Sequence, residues 1–305
     1  MSLLEKILYK RTRGLLRGGL LERLFLESAI KRAVDRKGKV LLLGSSYAQY
    51  GGIPSLIKGA TLVAAPSQDI YYSTVLAQNI MGQSEGKVDT CVLILGYYAL
   101  FQDLSLQTRD RVDKIGGTFW PVLGDSHNWE NPYNPNHWHK GYRYPNCVKR
   151  FLERKVYEYF YGTNSYFDDM TMRDTQKHTS WKNLSLQERR ELAYKRADRH
   201  NKLYKYQDAC VDNCKKLQSF VQKNGQMQLL YVIPPFSKEY CEKISEEMII
   251  ENERAMKKLN INFIDFNRMK KYSSEYFIDA DHLNDEGAKK FTSELVEVMK
   301  QMNMI

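Results

Sequence analysis

Apolar residues along this chain fall into two patterns, short unbroken runs and longer stretches of helical period. The unbroken runs occupy 39–44 (KVLLLG), 60–64, 90–95, 227–233 and 261–266. None alternates strictly with polar residues, so each reads as a strand covered on both faces. Helical segments separate the runs. Alternation of strand and helix implies a parallel sheet with helices on both sides. The predicted class is α/β, a three-layer α/β/α domain around a five-stranded parallel sheet.

Other stretches break that rhythm. In 3–35, Leu4, Ile7 and Leu8, then Leu20, Leu21, Leu24 and Phe25, recur at helical spacing, and Gly14, Gly18 and Gly19 divide the helix in two. Between the third and fourth runs, 103–184 is too long for one crossover helix and reads as an insertion rich in aromatics, Asn, Pro and Gly. Such an insertion in a compact domain is usually a lid or a binding element. Ser185 and Glu188 then form a capping box. A long helix is predicted from there to Asn224 and Gly225, with the glycine as C-cap. Pro234, Pro235 and Phe236 make a turn that either shapes a pocket rim or ends the fourth strand. A closing amphipathic helix covers 288–299. The predicted organisation is a basic amphipathic N-terminal segment, 1–38, and one domain, 39–305, that carries the insertion.

Composition adds constraints. The chain has 305 residues, 43% hydrophobic and 27% charged, enough for a sizeable core in one large domain. Its net charge of +10 is unevenly placed, with eleven Lys/Arg against four Asp/Glu in 1–39 and only +3 on the other 266 residues. The basic stretch 1–35 has two readings: peripheral contact with an anionic membrane, or packing on the domain with its charges in water. The body has no recurring basic patch interleaved with aromatics, so nucleic acid is not an expected partner. No apolar run reaches the ~18 residues of a membrane span. Lys10, Arg11, Arg13, Arg17 and Arg23 interrupt any signal-peptide core. Cys91, Cys147, Cys210, Cys214 and Cys241 make no zinc pattern and read as reduced thiols. The expected location is the cytoplasm, at the inner membrane face if 1–35 makes that contact.

Two motifs carry candidate chemistry. Gly44-Ser45-Ser46 follows the first strand, and ligands of a parallel sheet sit at the C-terminal strand ends. A serine there is either a helix cap or a nucleophile. Asp279-Ala-Asp281-His282-Leu-Asn284 follows the fifth run. A general base needs a His whose other nitrogen is held by a carboxylate, and an acid three residues earlier can fold back onto the ring. Asp279 is therefore expected to orient His282, with Asp281 solvated or turned toward the helix beginning near Asn284. Neighbouring residues point to opposite sides, so only one serine can face His282, and Ser46 is the expected nucleophile. His137 and His139 lack an evident third ligand, so no metal is expected. The absence of a phosphate-cradling glycine loop speaks against a small-molecule-binding flavodoxin-like module. Trp120, Trp129 and Trp138 in the insertion are candidates to stack on a sugar.

GSS after the first strand and DxxHLNxxGA near the C-terminus resemble the motifs of the SGNH (GDSL-like) hydrolases. The likeness covers most of the chain outside 1–38 and the insertion. It is closest to branches with GSS in place of GDS, such as the lipoteichoic-acid D-alanylation proteins and relatives linked to bacterial surface polysaccharides. It implies a flavodoxin-like (SGNH) fold, Ser46 as nucleophile, Asp279 and His282 as the dyad, and no cofactor. That family usually draws oxyanion donors from a Gly in a second block and an Asn in a third. Here the second block reads Ala64-Ala65-Pro66-Ser67-Gln68, and Tyr98 falls in the Asn position of Leu95-Gly96-Tyr97-Tyr98. Ser67, Gly96 and Tyr98, with the Ser46 amide, are the expected oxyanion and substrate-binding groups. The implied function is serine-dependent ester chemistry, as an esterase, deacetylase or O-acyltransferase, on an acylated carbohydrate of cell-surface polysaccharide metabolism. The alternative is a non-catalytic partner of the same fold in a membrane-associated polysaccharide assembly complex.

Overall fold

A computed structural model describes residues 20–35, 38–84, 88–107, 112–129, 181–269 and 272–305. The chain divides into two units, Met1–Ser28 with Leu104–Thr175, and Ala29–Asp103 with Gln176–Ile305. The larger unit contains a five-stranded sheet of β1 (Val40–Gly44), β2 (Ala60–Ala64), β3 (Thr90–Ile94), β4 (Gln228–Ile233) and β5 (Asn262–Asp265). Every neighbouring pair is parallel, and the order is β2-β1-β3-β4-β5. These bounds lie within a residue of the predicted runs. β1 and β3 are buried at every position, as unbroken apolar runs require, whereas edge strand β5 is exposed or half-buried along most of its length.

The helices are α1 (Leu20–Asp35), α2 (Ser46–Gly51), α3 (Ile70–Gln83), α4 (Leu186–Asn201), α5 (Gln207–Lys223), α6 (Glu246–Leu259) and α7 (Asp285–Gln301), with shorter turns between them. The result is the three-layer α/β/α, flavodoxin-like arrangement. Its register aligns Gly44 with Ala64 on one side and Ile94 on the other. Chain order reverses between β1 and β3, so the segment after β1 leaves the sheet at the switch point where such folds form their crevice.

One element differs from expectation. The long helix predicted after Ser185 is two helices, α4 and α5, separated by a 3-10 turn at Lys202–Lys205 and a non-helical Tyr206. The turn lets the Tyr204 ring pack 5.0 Å from Phe101, and the Gln207 amide satisfies the Tyr204 carbonyl at 2.6 Å. The capping box is present, with reciprocal bonds between Ser185 and Glu188. α5 ends on Asn224 rather than on Gly225. Phe236, after the two prolines, is buried against Tyr47, Tyr97 and Tyr240.

In the smaller unit, Val112–Phe119 winds as a π-helix into the turn Trp120–Leu123, which Gly124 ends in the left-handed conformation at φ 66°. Thr118 donates to Glu22 at 3.2 Å, and Ser105 meets His127 at 3.1 Å. Residues 1–19, His137, Trp138, His139 and Cys147 lie outside the described residues. Among the described residues no helix is long and apolar enough to cross a membrane, and Cys91, Cys210, Cys214 and Cys241 are unbridged.

Candidate active site

The site begins where β1 ends. Gly44 has φ 136°, and a Cβ there would strike the Ile94 carbonyl oxygen, so only glycine lets the chain leave the sheet this close to β3. Ser45 is buried and caps α2, its Oγ accepting from the Tyr47 amide at 3.4 Å. Ser46 is the first residue of α2 and stays half-buried. Gln49 donates to the Ala64 carbonyl at 2.9 Å, and Thr292 of α7 donates to the Gly51 carbonyl at 2.8 Å. These bonds fix α2 against β2 and α7.

The acid–histidine motif sits on a closed loop between β5 and α7. Phe277 bridges Leu283 in antiparallel fashion, Ile278 donates to the His282 carbonyl at 3.0 Å, and Asn284 donates to the Tyr276 carbonyl at 2.9 Å. The Ser237 amide donates to the Ala280 carbonyl at 3.1 Å, which ties the loop to the segment after β4. Asn284 then caps α7, accepting from Gly287 at 2.9 Å.

These two segments bring Ser46, His282 and Asp279 into one hydrogen-bonded chain. Ser46 Oγ lies 2.8 Å from His282 Nε2. His282 Nδ1 lies 3.0 and 2.9 Å from the two Asp279 oxygens. Asp279 Oδ1 also accepts from the backbone amides of Asp281 at 3.0 Å and His282 at 2.8 Å, so the carboxylate is aimed by its own loop. The Tyr47 and Tyr50 rings lie 5.3 and 4.9 Å from the imidazole. Burial works against its charged form, but the Asp279 and Asp281 carboxylates outweigh burial and hold the His282 pKa above the ordinary value.

Asp281 is not solvated. Its side chain is 2% exposed, accepts from Arg196 Nε at 2.9 Å and from the Tyr47 hydroxyl at 2.7 Å, and stands 3.6 Å from His282 Nδ1. Burial would raise its pKa, but the neighbouring His282 and Arg196 charges prevail and hold it below the usual carboxylate range. The backbone turns the acid before the histidine into the protein, where a compensating cation waits.

That cation comes from α4. Arg189 pairs with Glu239 at 3.1 Å, Arg196 with Asp281, and His200 Nδ1 meets the Tyr240 hydroxyl at 2.6 Å. His200 is buried, which pushes its pKa down to about 3, so it is neutral near pH 7. Its ring stacks 4.1 Å from Tyr98. The sequence carried a faint signal for this face: Ala193, Arg196, Ala197 and His200 recur at helical spacing, with both alanines fully buried.

The expected oxyanion groups lie after β2 and β3. Tyr98 is buried after β3, and its hydroxyl interacts with Tyr47 and Ser45; burial raises its pKa, so the proton stays on. Gly96 precedes it, and a Cβ there would come 2.5 Å from the Tyr47 ring. Ser67 has φ 61°, the left-handed conformation that glycine favours. Pro66 and Ser67 form the centre of a type II turn, closed by Gln68 N to Ala65 O at 3.0 Å. The Gln68 side chain accepts from Ala65 at 3.1 Å and donates to Val63 at 3.2 Å and Ser73 at 3.0 Å, which over-determines the turn. The turn leaves the Ser67 amide out of its own hydrogen bond. Trp120 and Trp129 are half-buried residues of the smaller unit.

Asp279, Asp281 and His282 are the one cluster of metal-type ligands among the described residues, with candidate atoms within 4.8 Å of one another. Its oxygens and Nδ1 are already engaged by one another, by Arg196 and by Tyr47. That is the arrangement of a hydrogen-bonded acid–base pair rather than of an open ligand set.

Set beside known proteins, the chain matches no family model and no curated protein. Among solved structures it is similar to one from Streptococcus pneumonia described as "a putative platelet activating factor". That likeness has 11% identity, a TM-score of 0.41, and coverage of 92% of this chain and 94% of the other. It is also similar to one from Bacteroides fragilis described as "a putative acylhydrolase", with 10% identity, a TM-score of 0.39, and coverage of 90% of this chain and 97% of the other.

Proposed function

We propose that this protein performs serine-dependent ester chemistry through Ser46, His282 and Asp279. The observation that carries the reading is the unbroken Ser46–His282–Asp279 hydrogen-bond chain, with contacts of 2.8, 2.9 and 3.0 Å. It is the arrangement of nucleophile, base and orienting acid that acyl transfer requires.

In the proposed reaction, Ser46 Oγ attacks the ester carbonyl carbon while its proton passes to His282 Nε2. Asp279 holds the Nδ1–H tautomer and stabilises the imidazolium. The carbonyl oxygen becomes an oxyanion held by the Ser46 and Ser67 amides and the Tyr98 hydroxyl, with the Gly96 amide beside them. Collapse of the intermediate breaks the bond to the alcohol, which leaves with the proton from His282. Water or a sugar hydroxyl then gives its proton to His282 and attacks the acyl-Ser46 carbonyl, releasing the acid or the new ester. The aromatic-rich composition of the insertion, Trp120, Trp129 and Trp138 among it, is the sequence feature behind the finer proposal of an acylated carbohydrate substrate in cell-surface polysaccharide metabolism.

Turnover of p-nitrophenyl acetate, with and without added oligosaccharide acceptor, tests the reading. The wild type should release p-nitrophenol and Ser46→Ala should fall to background. An acetylated acceptor, seen by mass, assigns a transferase, and acetate alone assigns a hydrolase. Equal turnover by the two proteins would remove the proposal.

A further inference from the structure

Two carboxylates stand near one proton. Asp279 lies 2.9 and 3.0 Å from His282 Nδ1, and Asp281 lies 3.6 Å from it. Nδ1 carries a single N–H, so the acids would compete for it if both were free. Their other partners separate them. Asp279 is aimed at the ring by two backbone amides of its own loop. Asp281 Oδ2 is taken by Arg196 Nε at 2.9 Å and by the Tyr47 hydroxyl at 2.7 Å.

We propose that Arg196 is a positioning residue: by binding Asp281 it withdraws that acid from His282 and leaves Asp279 alone to orient the ring. The inference rests on the ester-chemistry reading of this site, and assigns a role to a residue outside the Ser46–His282–Asp279 hydrogen-bonded chain.

Position and chemistry both support the assignment. Asp281 is 2% exposed while the Arg196 side chain is 29% exposed, so the guanidinium supplies the charge compensation that a buried carboxylate needs. Arg196 cannot lose its proton near neutral pH, so the clamp does not titrate with the base it serves. The groups that face His282 are Asp279 and Asp281 from its own loop, Arg196 from α4, and Ser46, Tyr47 and Tyr50 from α2. His200, Tyr98 and Tyr240 complete the surroundings of Asp281 and Arg196. Asp279 and Asp281 favour the charged imidazole, and Arg196 opposes them. Removing Arg196 therefore exposes His282 to a second, uncompensated carboxylate. Removing the Asp281 charge leaves a guanidinium without its counter-ion.

A purely structural clamp and a positioning clamp differ in how His282 titrates. The full chain, labelled with ¹³C at histidine Cε1, is titrated by NMR as wild type, Arg196→Met, Asp281→Asn and the double variant. The His282 signal is assigned by its loss in His282→Gln. Arg196→Met should raise the His282 pKa and Asp281→Asn should lower it, each by about one unit. The double variant should return toward the wild type. If Arg196→Met does not fold, Asp281→Asn and the double variant still carry the sign test. Identical titration of Asp281→Asn, the double variant and the wild type would overturn the assignment, as would shifts of Arg196→Met and Asp281→Asn in the same direction. The readout does not use turnover. Ester turnover with unmoved titrations defeats the Arg196 role alone, and opposed titrations without turnover defeat only the ester reading.

Discussion

Replacing Asp279 by Asn removes one negative charge and converts one acceptor into a donor at constant volume. The backbone amides of Asp281 and His282 bind Oδ1 at 3.0 and 2.8 Å, so the Asn oxygen is held in that place. Its NH2 then occupies the Oδ2 position, 2.9 Å from His282 Nδ1, where donor faces donor, and the uncharged Asn oxygen at 3.0 Å is the one acceptor of that side chain left to Nδ1–H. The Nδ1–H tautomer loses the charge and one of the two contacts that favour it, so more of the ring carries its proton on Nε2, which can then no longer accept from Ser46. In a buried triad, such a change costs up to ~10⁴ in kcat. The Asp279 side chain is 41% exposed, so water already screens part of its charge. The expected loss is ~10²–10³ in kcat/KM, or about 3–4 kcal/mol of transition-state stabilisation. Asp279 also raises the His282 pKa, and activity needs the neutral ring. The wild-type acid limb should therefore lie above the ordinary histidine value, and the residual activity of Asp279→Asn should show a limb at lower pH. Steady-state hydrolysis of p-nitrophenyl acetate from pH 5 to 9, with thermal unfolding to verify the fold, measures both. A loss under tenfold with an unmoved acid limb refutes the reasoning, as does a larger loss in Asp281→Asn.

Tyr98→Phe deletes one proposed oxyanion donor while keeping the ring on His200; kcat should fall ~10²-fold with KM nearly unchanged, and an unchanged kcat would remove Tyr98 from that role. Ser67→Gly relieves a left-handed serine, so chemical denaturation should show a gain of ~1 kcal/mol with kcat unaffected, because the proposed donor is the backbone amide; a large loss of kcat would contradict this. His200 has a folded pKa of about 3, below its unfolded value, so the unfolded chain takes up the proton first. Stability should therefore fall as pH drops from ~6.5 toward 3, by up to ~1.4 kcal/mol per unit, and His200→Gln should flatten that slope in urea titrations at pH 7, 5 and 4. His282 acts in a different window: its raised pKa contributes stability that is lost as pH rises through the folded value, so it does not mask the acid effect. An equal slope in His200→Gln refutes the assignment.

The strands were legible because a strand covered on both faces leaves an unbroken apolar run, such as 39–44 or 90–95, with little else it can be. The approach of Ser46, His282 and Asp279 was legible because its geometry is local in each half: Gly44 turns the chain out of the sheet, and Asp279 folds back over three residues to His282. α4 was not legible. It is a strongly polar helix, and its buried contacts reach partners 85 residues away at Asp281 and 40 away at Tyr240. Asp281 was misread for the same reason, since its burial depends on an arginine that no local pattern connects to it. The break between α4 and α5 arises from Tyr204 packing on Phe101, again a tertiary contact. Ser67 left one local clue, the preceding Pro66, which suits the second position of a turn whose third position takes positive φ.

The central claim is that Ser46 is a nucleophile activated by His282. Covalent capture by a fluorophosphonate, with the modified residue located by peptide mass, tests it most directly. The account predicts one phosphonyl group on Ser46 in the wild type and in Ser45→Ala, and none in Ser46→Ala or His282→Gln. A label on Ser45, or none on the folded wild type at saturating probe, would contradict it and leave the fold as a non-catalytic partner.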